Sequence, residues 1–185
     1  MRAKQIYEFT RGGDPFDTLG IGYKAKIHKF FDELDIERNL YIIENNNIIF
    51  MKGLKLIGNT NLIKLPDNLK INMYFNVNGC INLVELPNNL KINGYAEMQR
   101  CYSLVKLPDN LTIYGSLNLK NSTNLVNLPK NLKVYSYLDI INTNLLEIPD
   151  DLFVKGCIYV APNQTKLIDC ISSSKFKNKL KLGNN

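Results

Sequence analysis

The sequence predicts a β-rich solenoid with two short strands per 21-residue coil and a small N-terminal helix and hairpin cap. Five segments carry that prediction: NLIKLPDNLKINMYFNVNGCI, NLVELPNNLKINGYAEMQRCY, SLVKLPDNLTIYGSLNLKNST, NLVNLPKNLKVYSYLDIINT and NLLEIPDDLFVKGCIYVAPNQT. Aligned on the apolar-proline pair, they place Pro66, Pro87, Pro108, Pro129 and Pro149 at intervals of 21, 21, 21 and 20 residues. A fixed period in the twenties means one coil of a solenoid per repeat. Within each segment apolar and polar residues alternate twice, which reads as two half-buried strands, and no coil holds a helix-length amphipathic stretch.

The elements follow in chain order. Residues 1–22 form an N-terminal arm. Residues 23–50 form a cap, with a helix through KIHKFFDEL and a strand pair in YIIENNNIIFMKG. Ile27, Phe30, Phe31 and Leu34 make the apolar stripe of that helix. His28 falls beside the stripe, as a solvent-edge histidine with no partner triad that would make it catalytic. The solenoid occupies residues 51–165, beginning with an incomplete coil, MKGLKLIGNTNL at 51–62.

In each coil the first run supplies Leu69 and Ile71, then Leu90 and Ile92, Leu111 and Ile113, Leu132 and Val134, Leu152 and Val154. The second supplies Phe75 and Val77, then Ala96 and Met98, Leu117 and Leu119, Leu138 and Ile140, Ile158 and Val160. A tight bend separates the runs, often with glycine, as at Gly94, Gly115 and Gly156. The Pro-x-Asn/Asp-Leu stretch before the first run is a turn, because proline fixes φ and an Asn or Asp side chain bonds back to nearby backbone. Residues 166–185 form a basic cap in which lysines alternate with Phe176, Leu180 and Leu182, as expected of a strand covering the open end of a solenoid.

The chain of 185 residues carries a net charge of +6. Residues 1–60 hold 9 basic and 8 acidic side chains, residues 61–165 hold 9 and 8, and the last twenty hold 5 and 1. The excess sits in the tail, which argues against a nucleic-acid partner. Lys70, Lys91 and Lys133 share one column of the first strand, interrupted by Thr112. Asp67, Glu85, Asp109 and Glu147 lie in neighbouring turns, so the column reads as a solvated face. No apolar run is long enough to span a membrane, and MRAKQIYEFTRGGD lacks the apolar core of a secretory signal. The expectation is a cytoplasmic protein with free thiols. Asparagine occurs 26 times. A structural role is expected only where it recurs in register, and scattered cases such as Asn45 to Asn47 are assigned to AT-rich coding.

VNGCINLVELPNNL and LKNSTNLVNLPKNL, residues 77–90 and 119–132, follow the pattern L-x-L-x-x-(N/C)-x-x-L-x-x-L-P-x-x-L, and over residues 51–165 the chain resembles the leucine-rich-repeat family. The resemblance implies a leucine-rich-repeat-like scaffold whose second strand lines a concave side. It also implies an inward structural ladder of small polar side chains, on which Asn59, Cys80, Cys101, Ser122 and Asn142 fall. The leader FTRGGDPFDTLGIG resembles that of uncharacterised bacteriophage repeat proteins. Phe9, Arg11, Gly12, Asp14, Pro15, Leu19, Gly20, Ile21 and Gly22 carry that likeness, which implies a viral origin, and a host cytoplasm as the setting.

No cysteine pair has metal-ligand spacing, RGGD and GIG lack phosphate-loop spacing, and Asp150 and Asp151 sit in a turn. No catalytic residue, metal or cofactor is therefore assigned. What is left is surface. The outward residues of the second strand form three columns: Gly53, Tyr74, Tyr95, Ser116, Tyr137 and Cys157; Lys55, Asn76, Glu97, Asn118, Asp139 and Tyr159; and Ile57, Asn78, Gln99, Lys120, Ile141 and Ala161.

The expected function is a non-catalytic module that binds a protein or peptide, with Tyr74, Tyr95, Tyr137 and Tyr159 as anchors. Asn76, Glu97, Gln99, Asn118, Lys120 and Asp139 would set polarity. Tyrosine is also favoured on an exposed sheet for its β propensity alone. Two alternatives use the arm: a virion component docking through residues 1–22, and a nucleotide-binding protein or enzyme with a site around Arg11 and Asp14.

Overall fold

The computed structural model describes residues 21–183. It is a β-solenoid with two seven-stranded sheets. Helix α1 (Ile21–Glu33) opens it, burying Tyr23, Ile27, Phe30 and Phe31, with Leu34 just beyond its end. Phe31 is the hub of that cap, its ring centroid lying 4.8 Å from Tyr41 and 5.3 Å from Phe50. Asp35 adopts φ +56° and ends the helix, a left-handed residue being a common way to satisfy the last carbonyls. His28 is half-buried, its Nδ1 lying 2.8 Å from the Tyr41 hydroxyl.

Strands β1 (Tyr41–Glu44) and β2 (Asn47–Phe50) form an antiparallel hairpin. Its two loop residues, Asn45 and Asn46, have φ of +47° and +61°. Two successive positive φ values define the turn that matches strand twist, and asparagine tolerates them. These asparagines therefore have a conformational role, correcting their assignment to coding bias. After β3 (Leu54–Lys55), each coil contributes a pair: β4 (Leu69–Ile71) and β5 (Phe75–Asn76), β6 (Lys91–Ile92) and β7 (Ala96–Glu97), β8 (Thr112–Ile113) and β9 (Leu117–Asn118), β10 (Lys133–Val134) and β11 (Leu138–Asp139), β12 (Phe153–Val154) and β13 (Ile158–Val160). The even strands stack on β2 as one sheet and the odd strands on β3 as the other, all in parallel.

The apolar residues of both runs point inward and are buried, most of them completely. They share one continuous core with α1 and the turn leucines Leu62, Leu83, Leu104, Leu125 and Leu145. No coil can bury these side chains alone. Each is worth about 1.5–3 kcal/mol when covered, and the neighbouring coil is what covers it. The turn asparagines Asn68, Asn89, Asn110 and Asn131 all adopt φ between +54° and +61°. Their side chains reach along the stack, with Asn89 Nδ2 donating to Asn68 Oδ1 and Asn131 Nδ2 to Asn110 Oδ1, each at 3.0 Å. Asp67 and Asp109 accept the backbone N–H of Asn88 (2.7 Å) and Lys130 (3.0 Å) in the next coil.

The C-terminal cap departs from a plain strand. It contains helix α2 (Thr165–Ser172), with Leu167 and Ile171 buried, then Phe176 at 4% exposure, then β14 (Leu180–Leu182), which pairs in parallel with β13. The helix is short, so its apolar period spans too few residues to register in the sequence. The tail lysines close the other sheet: Lys179 Nζ donates to the carbonyls of Val154 (2.5 Å) and Lys155 (2.9 Å), and Lys175 Nζ to that of Asp150. These carbonyls belong to the last coil, which has no successor to donate to them.

Candidate binding face

The polar ladder beneath the second sheet sets the register of everything above it. Cys80 Sγ donates to Leu56 O at 2.9 Å, Cys101 Sγ to Val77 O at 3.2 Å and Ser122 Oγ to Met98 O at 2.7 Å, each reaching back 24 residues. Ser122 Oγ also accepts the Cys101 N–H at 3.2 Å. Asn59, in the first coil, is half-buried and accepts the Asn61 N–H instead. Burial pushes the Cys80 thiol up to about 11 and the Cys101 thiol up to about 12, and all four cysteines are free.

Asn142 does not take the ladder position. It has φ +56°, and its side chain bonds outward to Asn121 Oδ1 at 3.0 Å. Thr143, 4% exposed, lies 21 residues after Ser122. The shortening that puts Pro149 only 20 residues after Pro129 falls after Thr143. Gln164 keeps the same 21-residue spacing and seals the last coil. Its Oε1 accepts the N–H of Asn142 (3.0 Å) and Ala161 (2.7 Å), and its Nε2 donates to Ile140 O (3.1 Å) and Thr143 O (3.0 Å).

On the outer side, the strand pairings align Lys55, Asn76, Glu97, Asn118, Asp139 and Tyr159, and β14 adds Lys181 to the row. Lysines thus bracket an acidic centre. Each ordered strand is only two or three residues, but inter-coil bonds run from Leu54 N–Tyr74 O to Gly58 N–Asn78 O, so the ladder spans five residues of the second coil. Tyr74 and Tyr95 stack at 6.0 Å and 23°. Tyr137 and Tyr159 meet edge to face at 5.8 Å and 86°. Ser116 separates the two pairs, leaving a notch two coil spacings wide, about 10 Å.

Several row residues are already engaged. Asn76, Asn118 and Asp139 each accept, through Oδ1, the N–H two residues on, at 3.0–3.1 Å. Asn118 is only 9% exposed and serves the turn more than the surface. Asp139 is pushed above the usual carboxylate range by burial, against the pull of the Ile141 N–H and of Lys120. Gln99 Nε2 donates to Glu97 Oε2 at 2.9 Å, presetting the acidic centre. Ile141, from the third column, is 4% exposed because the segment ending at Gly183 lies over it.

Sequence reasoning passed over two further rows. Tyr114 and Tyr135, 21 residues apart, stack at 5.3 Å and 17° on the first sheet, with Phe153 5.2 Å beyond. Val84, Val105, Val126 and Leu146 form an exposed aliphatic row along the turn edge. Both were readable as period-matched exposed positions. Arg11, Asp14 and the arm up to residue 20 lie outside the described residues. Among the described residues, no group of three or more His, Cys, Asp or Glu side chains is placed to hold a metal ion, and no helix is long and apolar enough to cross a membrane. No family model, curated protein or solved structure matches the chain.

Proposed function

We propose that the protein is a non-catalytic binding module that engages a protein or peptide through the outer face of the second sheet. The observation that carries this reading is the pair of preset tyrosine contacts, Tyr74 on Tyr95 and Tyr137 on Tyr159, flanking the Ser116 notch in one rigid register. Side chains already held in place lose little freedom on binding, and tyrosine offers an apolar ring with a polar tip. The bracketed row favours a partner with a basic centre and acidic flanks.

Seven strands at about 4.8 Å and five residues each give a face of roughly 29 by 17 Å, about 500 Å². A standard protein interface takes about 800 Å² per partner, so an extended peptide or an exposed loop suits the face best. The resemblance of the leader to phage repeat proteins supports a host protein as the source of that segment. The test is capture from host lysate with the full chain, and with Tyr95→Ala and Tyr137→Ala together. Capture of one specific protein, lost in the double variant, supports the reading; no specific capture, or undiminished capture by the variant, overturns it.

A further inference from the structure

The stack is not evenly sewn. The amide ladder joins Asn89 to Asn68 and Asn131 to Asn110, but among the described residues no bond joins Asn110 to Asn89. Among these residues a backbone bond of the same turn is also missing, although β6 and β8 pair in register beyond it. Asn68 N donates to Asn88 O at 3.0 Å and Asn110 N to Lys130 O at 2.8 Å, with no such bond from Asn89 N to the intervening coil. Although Gly115 N–Gly94 O and Val105 N–Val84 O close normally at 2.8 and 2.9 Å, two bonds along this seam are long: 3.5 Å for Leu86 N–Lys106 O and 3.3 Å for Tyr114 N–Ile92 O. The matching Asn93 N–Ile71 O and Tyr135 N–Ile113 O bonds, one coil to either side of the latter, measure 2.9 and 3.0 Å. A cavity of about 440 Å³ opens beside this turn, walled by Asn89, Lys91, Asp109, Asn110, Thr112 and Tyr114 among others.

We propose that this crevice, at the turns leading into the paired strands β6 and β8 and over their outer side chains, binds a neutral pyranose ring, with Tyr114 as the platform and the Asn89–Asn110 pair reading its hydroxyls. Tyr114 is 59% exposed, and Tyr135 covers one face of its ring. The other face looks toward the preceding coil and the crevice, where the C–H face of a sugar can pack on the π surface. Asn110 brings an uncommitted NH₂ and Asn89 an uncommitted carbonyl. A hydroxyl both donates and accepts, so neighbouring hydroxyls can use both groups at once. Asp109 Oδ1 is held by the Lys130 N–H at 3.0 Å, which leaves its second oxygen as an acceptor. Lys91 balances the charge, so the site as a whole favours a neutral ligand over a phosphate. The volume falls at the small end of the range for ligand clefts.

The probes are methyl glycopyranosides of glucose, galactose and mannose, and N-acetylglucosamine, titrated to tens of millimolar into the full chain and followed by NMR. At least one should shift the side-chain amides of Asn89 and Asn110 and the Tyr114 ring saturably. Tyr114→Phe should keep that binding, and Tyr114→Ala should weaken it at least about tenfold. A lack of saturable shifts with any sugar overturns the proposal. So does saturation by adenosine or uridine where the sugars fail, or equal affinity in Tyr114→Ala. The first sheet is tested here, so the outcome is independent of lysate capture by the second.

Discussion

Ser122 offers a sharp test of how the coils are joined. Its hydroxyl is fully buried, donates to Met98 O at 2.7 Å and accepts from Cys101 N at 3.2 Å. Ser122→Ala leaves a buried carbonyl and a buried N–H without those partners. Each uncompensated group costs about 1–3 kcal/mol, and allowing for partial relaxation the expected loss is about 2–4 kcal/mol, or roughly 5–15 °C in Tm for a chain of this size. Ser122→Cys restores the residue that the two preceding coils use, so it should lose less than half as much. Urea unfolding followed by circular dichroism gives the comparison, and hydrogen exchange at Cys101 N–H shows whether the loss is local to one coil, as quasi-one-dimensional stacks permit. If Ser122→Ala falls within about 0.5 kcal/mol of the parent, or Ser122→Cys is equally destabilised, the ladder does not hold the coils together as argued.

Three other substitutions probe separate features. A Cβ on Gly94 would stand 1.6 Å from the Met73 carbonyl oxygen, so Gly94→Ala should cost at least about 3 kcal/mol in thermal or urea unfolding; a loss under about 1 kcal/mol would mean that the bend is looser than described. Lys179→Met removes charge-assisted bonds to the Val154 and Lys155 carbonyls and should cost about 1–3 kcal/mol, with faster amide exchange in the last coil before the first. Asp139 is raised by burial: its folded pKa lies above its unfolded one, so its contribution is most favourable at low pH and is lost as pH rises through the folded value. Asp139→Asn keeps the acceptor for the Ile141 N–H and puts the residue of β5 and β9 into β11, so it should match or exceed parental stability at pH 7. That advantage should vanish as pH falls below the ordinary carboxylate value of 3.8, and a constant difference across pH would refute the burial argument.

The solenoid was legible because its evidence repeats. A 21-residue period in proline, leucine and paired alternation leaves few ways to bury the apolar residues other than coil on coil. The helix stripe in α1 and the strand pairing after it do not repeat, and were readable from their own apolar periods. The asparagines show where reading by position stops. Asn45 and Asn46 look like compositional noise until both are seen at positive φ, since a backbone angle leaves no mark on composition. Asn142 fell one residue off the ladder because proline spacing locates the loops, and a loop can lose a residue where a buried column cannot.

The sequence by itself determined the repeat, the inward rows, the column of Lys70, Lys91, Thr112 and Lys133, and which outward residues of the second sheet share a row. Only the tertiary structure decided what those residues are free to do. It tied Asn76, Asn118 and Asp139 into local turns, stacked the tyrosines in pairs, turned the tail lysines onto orphan carbonyls, and left the amide ladder open between Asn89 and Asn110. The physical reason is that period and alternation fix which way a side chain points, whereas its partners depend on distances between coils that no single coil encodes.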